Sequence, residues 1–322
     1  MDIEQYKKLL CFFGYGNFPE AHFIIWGNEE GTGGYPIVPN INARCNNFGK
    51  NDKGEYIYLL RDKWQQGYYE NSEHSGTNKL ARYIDTDDNN YYSPGLKHSN
   101  FLELVARFCL ALEDKEDFEK WFSSYDERPD LKESIKDCYR NQIFKDRDGI
   151  KTALIDWRPL PRMNEKTWYP EEYANIDKTK YLKAFKLNKA NKAIVLKDEF
   201  TNYLEDVNMR KEIIRDVFTE YSFPLGIAFG DIETKKELIK EIFKDDDVYI
   251  STENLVNFPY IKWYKLKINT NKKAKVFLLL PFPDHRLKIY KDDINRNRNK
   301  TNMLLFFKEI FINHIQSTIN DQ

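Results

Sequence analysis

Four short apolar runs constrain this chain more than any other feature. They are HFIIW (22–26), TALIDW (152–157), PLGIAF (224–229) and KVFLLL (275–280). Their length and their β-branched and aromatic content read as strands. They have almost no apolar/polar alternation, as expected of strands buried on both faces. Helical patterns lie between them. FLELVARFCLALE follows an apparent capping box of Asn100 and Glu103. EDFEKWFSSY, DLKESIKDCYRNQIF, NYLEDVNMRKEIIRDVFTEY and TKKELIKEIF come next, and TNMLLFFKEIFINHI closes the series with Thr301 as its expected cap. Strands separated by helices predict an α/β fold of three layers, a central four-stranded parallel sheet flanked by helices, with right-handed crossovers. The segment 40–95 breaks the pattern. It is rich in Asn, Asp, Gly and Tyr, and it reads as a long loop-rich insertion after the first strand, with a small hairpin at EYIYLL. Neither an internal repeat nor a two-domain boundary is visible, so 1–322 reads as one domain.

Composition removes several function classes. Charged residues make up 31% of the chain and aromatics 15%, yet the net charge is only −1. The protein is no polycation, and contact with nucleic acid requires a local basic face. No apolar run approaches the roughly 18 residues of a membrane helix, and the first residues carry acids, so a cytoplasmic protein without a membrane partner is expected. Cys11, Cys45, Cys109 and Cys138 form no C-x-x-C pair. That spacing argues against a zinc or iron–sulfur site and for reduced thiols, so neither metal nor cofactor is expected.

The apolar runs end in chemistry. The first runs into WGNEEGTGGYP, where Gly27, Gly31, Gly33 and Gly34 allow close backbone approach to a ligand and Glu29 and Glu30 supply acids. It matches neither the dinucleotide nor the P-loop fingerprint. The second runs into RPLPRMN, a loop stiffened by Pro159 and Pro161 and carrying Arg158 and Arg162. The fourth stops at PFPDHR, with Asp284, His285 and Arg286. From Lys262 to Lys300 there are 12 Lys or Arg against 3 Asp, interleaved with Trp263, Tyr264, Phe277, Phe282 and Tyr290. That is the sequence footprint of a surface that tracks a nucleic-acid backbone. Open α/β folds place ligands at the carboxyl ends of their strands, where all of these loops start.

Taken together, these segments resemble the uracil-DNA glycosylase superfamily. GNEEG (27–31) is similar to its first loop, G-x-[DNA]-P-[GY]. TALIDWRPLPRMN (152–164) is similar in place and shape to its second, T-N-x-x-K-C-R-P-P-x-N-R, and the glycine after PLGIAF fits the third strand. FPDHR (282–286) has the spacing of the last loop, H-P-S-x-[LR], and KTNMLL (300–305) is similar to the K-T-N-x-L-L of the uracil-specific branch. The resemblance covers the four strands and their loops and omits the 40–95 insertion. It implies a uracil-DNA glycosylase-like fold and a monomeric enzyme that flips a nucleotide out of double-stranded DNA and hydrolyses its N-glycosidic bond. The transition state resembles an oxocarbenium ion, which a carboxylate stabilises. By position Glu29 takes that role, with Glu30 second, while Asp284 or His285 assists the leaving base. Gly27, Asn28, Gly31, Ala153 and Phe282 map to the base pocket, with Tyr35 and Phe48 as alternative stacking partners. Arg286 maps to the wedge, and Arg158, Arg162 and Lys288 to DNA contacts.

The departures matter as much. Glu29 and Glu30 stand where the family has Asp or Asn and Pro. Ala153 replaces the base-reading Asn, Trp157 the Cys, Phe282 the His and Asp284 the Ser. Loss of the Asn side chain removes hydrogen bonds and opens room. The expectation is therefore a hypermodified cytosine, such as the glucosylated hydroxymethylcytosine of phage DNA, excised in antiviral defence. Two alternatives stay open: a divergent uracil-repair glycosylase, and a catalytically inactive DNA-binding module of the same fold.

Overall fold

The computed structural model describes residues 1–28, 37–47, 49–50, 56–57, 100–145, 147–162, 168–185, 201–244, 247–252, 255–269, 274–283 and 299–320. In chain order these form α1 (Ile3–Cys11), β1 (Gly14–Gly16), β2 (Phe23–Gly27), α2 (Ile37–Asn47), β3 (Gly49–Lys50), β4 (Tyr56–Ile57), α3 (Asn100–Glu113) and α4 (Leu131–Asp137). Then come β5 (Thr152–Asp156), α5 (Lys178–Phe185), α6 (Tyr203–Glu220), β6 (Leu225–Phe229), α7 (Ile232–Ile242), β7 (Asp247–Ser251), β8 (Tyr264–Asn269), β9 (Ala274–Leu280), α8 (Asn299–Ile310) and α9 (Gln316–Asn320).

The four apolar runs become β2, β5, β6 and β9, and the chain is α/β. The sheet is larger than the four parallel strands expected. Seven strands are hydrogen-bonded in the order β1-β5-β2-β6-β9-β8-β7. β2 pairs with β6 and β6 with β9 in parallel, whereas β8 and β7 add antiparallel strands. The sheet is therefore mixed. β8 escaped notice because YKLKIN alternates between buried and more exposed positions. That period of two belongs to a strand with one wet face, and its outward lysines read as a basic stretch. β1 is only Gly-Tyr-Gly.

Other local expectations shift for physical reasons. Asn100 and Glu103 were expected to cap α3, but Glu103 is buried and its carboxylate accepts from Nε and Nη2 of Arg107 at 3.0 and 2.7 Å. EDFEKWFSSY supplies only a 3-10 turn at Phe118–Phe122. Thr301 lies inside α8 rather than at its cap. The insertion read as loops from residue 40 begins within α2. Its hairpin is present as far as Gly49–Lys50 pairs antiparallel with Tyr56–Ile57. The rest of the insertion lies outside the described residues.

The chain clusters into two compact units. The first comprises Met1–Gly16, Gly27–His98 and Leu154–Phe218. There α1 starts in a capping box, Asp2 accepting from the Gln5 amide at 2.8 Å while the Gln5 side chain accepts from the Asp2 amide at 3.1 Å. α1 buries Tyr6, Leu9 and Leu10. The Tyr6 hydroxyl donates to Asp206 at 2.8 Å, and burial together with that carboxylate pushes the phenol far above its ordinary range. The second unit comprises Asn17–Trp26, Ser99–Ala153 and Thr219–Gln322. Its core includes Phe108 packed on Phe122, Phe307 and Phe311 with ring centroids 6.1, 6.4 and 6.2 Å apart. Such aromatic pairs add to the hydrophobic gain of burial.

Candidate functional site at the strand ends

The chain passes from β2 to β5 on one side and from β6 to β9 on the other, so β2 and β6 flank the point where the connections change direction. Ligands bind beside such switch points in open α/β sheets. Each unit has its own cluster of strand ends.

In the first unit, the chain leaving β2 runs beside the chain leaving β5. The Trp157 amide donates to the Gly27 carbonyl at 3.2 Å, and the Arg158 amide to the Asn28 carbonyl at 2.7 Å. A Cβ on Gly27 would stand 2.3 Å from an oxygen of the Asp156 carboxylate, so any larger residue there has to push that carboxylate aside. Asp156 is buried at the last position of β5. The fully buried guanidinium of Arg210, on α6, holds this end together. It donates to the carbonyls of Trp157 at 3.1 Å, Leu10 at 2.9 Å and Phe12 at 2.5 Å, and to that of Asp156. Burial lowers the Arg210 pKa to about 10, with the charge of Asp156 opposing the shift, so the group stays cationic at neutral pH.

In the second unit, the ends of β2, β6 and β9 meet. Lys235, buried on the first turns of α7, donates to the carbonyls of Trp26 at 3.4 Å and Phe229 at 2.5 Å. The chain leaves β6 through two left-handed residues, Gly230 (φ 67°) and Asp231 (φ 46°). Asp231 takes the N-cap place of α7 without a side-chain capping bond. A non-glycine residue in this conformation stores strain, which marks a position where the surrounding structure imposes the backbone. The Gly230 amide donates to the Leu280 carbonyl at 2.9 Å, and a Cβ on Gly230 would stand 3.3 Å from that of Phe282. Phe282 itself is 50% exposed. Near the same turn the Glu233 carboxylate accepts from Lys262 at 2.5 Å, Lys236 at 2.6 Å and the Tyr264 hydroxyl at 2.5 Å. Lys236, followed by Lys262 and Tyr264, pulls the Glu233 pKa from 4.5 to about 2.

Of the residues singled out in the sequence, Gly27, Asn28, Ala153, Arg158, Arg162 and Phe282 are described. Gly27 and Asn28 stand beside Arg158, as two converging loops require. The Arg158 and Arg162 side chains are buried. Ala153 is fully buried within β5, three residues before the strand's end. Glu29, Glu30, Gly31, Tyr35, Phe48, Asp284, His285, Arg286 and Lys288 lie outside the described residues. The basic stretch is reinterpreted in part. Trp263, Tyr264 and Phe277 are core residues, and Lys275 is buried with its ammonium on the carbonyls of Tyr221 and Phe223.

Sequence reading missed Asp156, Arg210 and Lys235. Asp156 carried a usable signal, an acid closing an apolar run. The two cations carried none, because each sits in a charged helix pattern that reads as a wet face. Cys11, Cys45, Cys109 and Cys138 are free, and burial lifts the Cys45 thiol to about 11 and Cys109 well above its ordinary value. Among the described residues no group of three or more His, Cys, Asp and Glu is placed to hold a metal, and no helix is long and apolar enough to cross a membrane. No family model matches this chain, and neither a curated protein nor a solved structure does.

Proposed function

We propose that this protein is a monofunctional DNA glycosylase that excises a modified base, with a hypermodified cytosine such as glucosylated hydroxymethylcytosine in phage DNA as the favoured substrate. One observation carries the reading. The two loops that resemble the glycosylase motifs start side by side, coupled through Arg158 and Asn28 at 2.7 Å, with the Asp156 acid against Gly27. Their common origin at the carboxyl ends of neighbouring strands is where such a fold binds its ligand. The flipped nucleotide lies with its sugar over the first loop. The bond from C1′ to the base nitrogen breaks, and positive charge on the sugar is met by a carboxylate. Water adds its oxygen to C1′, one proton passes to the departing base, and an abasic site remains. Glu29 is the proposed carboxylate and Asp156 a positioning acid beneath the same loop.

Abasic-site formation tests this. Purified protein is incubated with duplexes containing uracil, cytosine, hydroxymethylcytosine or glucosylated hydroxymethylcytosine, and alkali then cuts at any abasic site. Cleavage confined to the glucosylated duplex is expected. Glu29→Gln should lose at least about a hundredfold in rate while retaining DNA binding, the scale of an acid–base group. Asp156→Asn should lose less. Cleavage at uracil alone would make the protein a repair enzyme, and binding without cleavage of any duplex would make it a binding module. A Glu29→Gln variant as active as wild type would remove Glu29 from the mechanism.

A further inference from the structure

At the amino ends of β2 and β5 a histidine is built into the join between neighbouring strands. His22 directly precedes β2, Lys151 directly precedes β5, and the two strands are adjacent in the sheet. The His22 amide donates to the Lys151 carbonyl at 2.9 Å. The Lys151 amide in turn donates to Nδ1 of the His22 ring at 3.1 Å. The ring nitrogen therefore serves that amide as a carbonyl does within a ladder. A ring nitrogen accepts only while it carries no proton, so this bond requires the neutral imidazole with its proton on Nε2. The charged groups acting on the half-buried ring are Lys151 and Glu113. Both are already engaged. The Lys151 ammonium pairs with Glu20, and the Glu113 carboxylate, at the end of α3, accepts from Arg147 at 2.8 Å and from the Ile150 amide at 2.9 Å. All of these residues belong to the second unit.

We propose that His22 and Lys151 form a proton-operated latch: protonation of His22 at Nδ1 turns the acceptor into a donor, releases the Lys151 amide and loosens the start of β5 from the start of β2. Two N–H groups then face each other, and the Lys151 amide loses its partner, which is costly away from water. Histidine is the side chain whose ordinary charge change falls near neutrality, so the latch works under mild acidification. Burial lowers the His22 pKa below its ordinary 6.5. The Lys151 charge adds to that shift, while the Lys151 backbone and the Glu113 charge oppose it without cancelling it. The folded chain thus binds this proton less readily than the unfolded chain. The latch contributes its full stability above the ordinary value and loses it as pH falls below 6.5 toward the lower folded value. The proposed excision chemistry does not use His22, so the latch stands or falls independently of which base is cleaved.

The test compares the full wild-type chain with His22→Asn from about pH 7.5 to about pH 5.5. Asparagine removes the titration and keeps an acceptor, because its side-chain oxygen can take the place of Nδ1. On acidification the wild type should lose about 2 °C or more of melting temperature relative to His22→Asn. By NMR the His22 ring of the folded wild type should titrate below 6.5. Hydrogen exchange at the Lys151 amide, corrected for the intrinsic effect of pH, should lose protection along the same titration in wild type and keep it in His22→Asn. Parallel melting curves for the two proteins overturn the proposal, as does a His22 ring that titrates at or above 6.5 in the folded state. Equal loss of Lys151 protection in His22→Asn assigns the opening to another group and overturns it too. Ring titration and Lys151 exchange are read on the wild type, so together they decide the matter even if the variant does not fold.

Discussion

The end of β5 in the first unit and the end of β6 in the second pose the same problem and receive different solutions. Where a strand stops inside a protein, its last carbonyls lose their ladder partners and need donors. At β5 the donor is Arg210, whose rigid fork serves four carbonyls from two parts of the chain, Leu10 and Phe12 after α1 and Asp156 and Trp157 at the strand end. At β6 the donor is Lys235, which serves two. The arginine end is tied to fixed segments and leaves little play. The lysine end has fewer such bonds and passes through two left-handed residues, Gly230, which adopts that conformation freely, and Asp231, which does not, beside the half-exposed ring of Phe282. A guanidinium can fix a frame around a loop, whereas an ammonium can anchor a turn that remains adaptable. The two ends thus divide rigidity and adaptability between the loops that leave them.

The sharpest way to break this comparison is to remove the fork. Arg210→Met leaves four buried carbonyls without their donor, at about 1–3 kcal/mol for each unsatisfied group. The sum rivals the whole stability of a typical domain, so the variant should fail to fold or melt far below wild type in calorimetry. Arg210→Lys should recover only part of the loss, because an ammonium cannot reproduce the planar fork. Lys235→Met strips two carbonyls and should cost about 2–4 kcal/mol in urea unfolding, clearly less than the arginine variant. Equal losses at the two positions would erase the distinction between a rigid and an adaptable end.

Asp231→Gly probes the adaptable end from the other direction. Relieving a left-handed non-glycine residue should raise stability by up to about 1 kcal/mol. If the strain serves activity, excision should slow while the melting temperature rises. A gain in both would make the strain incidental. Glu233→Gln should have the smallest effect, and its sign depends on pH. The folded carboxylate titrates near 2, below its ordinary 4.5, so it contributes stability above the ordinary value and loses it as pH falls through the folded one. The melting temperature of Glu233→Gln should therefore lie slightly below wild type at neutral pH, and the gap should close between about pH 4.5 and 2. An unchanging gap would show that the ion pairs with Lys236 and Lys262 add nothing, as is common for exposed pairs.

Much of the fold was legible and much of the site was not. HFIIW, TALIDW, PLGIAF and KVFLLL announced β2, β5, β6 and β9, because a strand buried on both faces must be a nearly unbroken apolar run. NYLEDVNMRKEIIRDVFTEY and TKKELIKEIF announced α6 and α7 through their periodicity. The placement of Gly27, Asn28 and Arg158 at carboxyl ends of strands was legible too, whereas the adjacency of β2 and β5 that brings them together was not. β8 was hidden by its lysines, and Glu103 was taken for a cap because the pairing that claims it, with Arg107 one turn on, depends on burial.

By itself, then, the sequence determined the α/β class, the inner strands and the glycines at their ends, since these depend on local burial pattern and backbone freedom. The tertiary structure alone decided the mixed seven-stranded order, the burial of Arg210, Lys235 and Lys275, and the register that sets Tyr249 across from Lys267. The physical reason is that a lysine on a helix or strand is written identically whether it faces water or a row of carbonyls. Only the packing of distant segments supplies the acceptors that make burial of its charge possible.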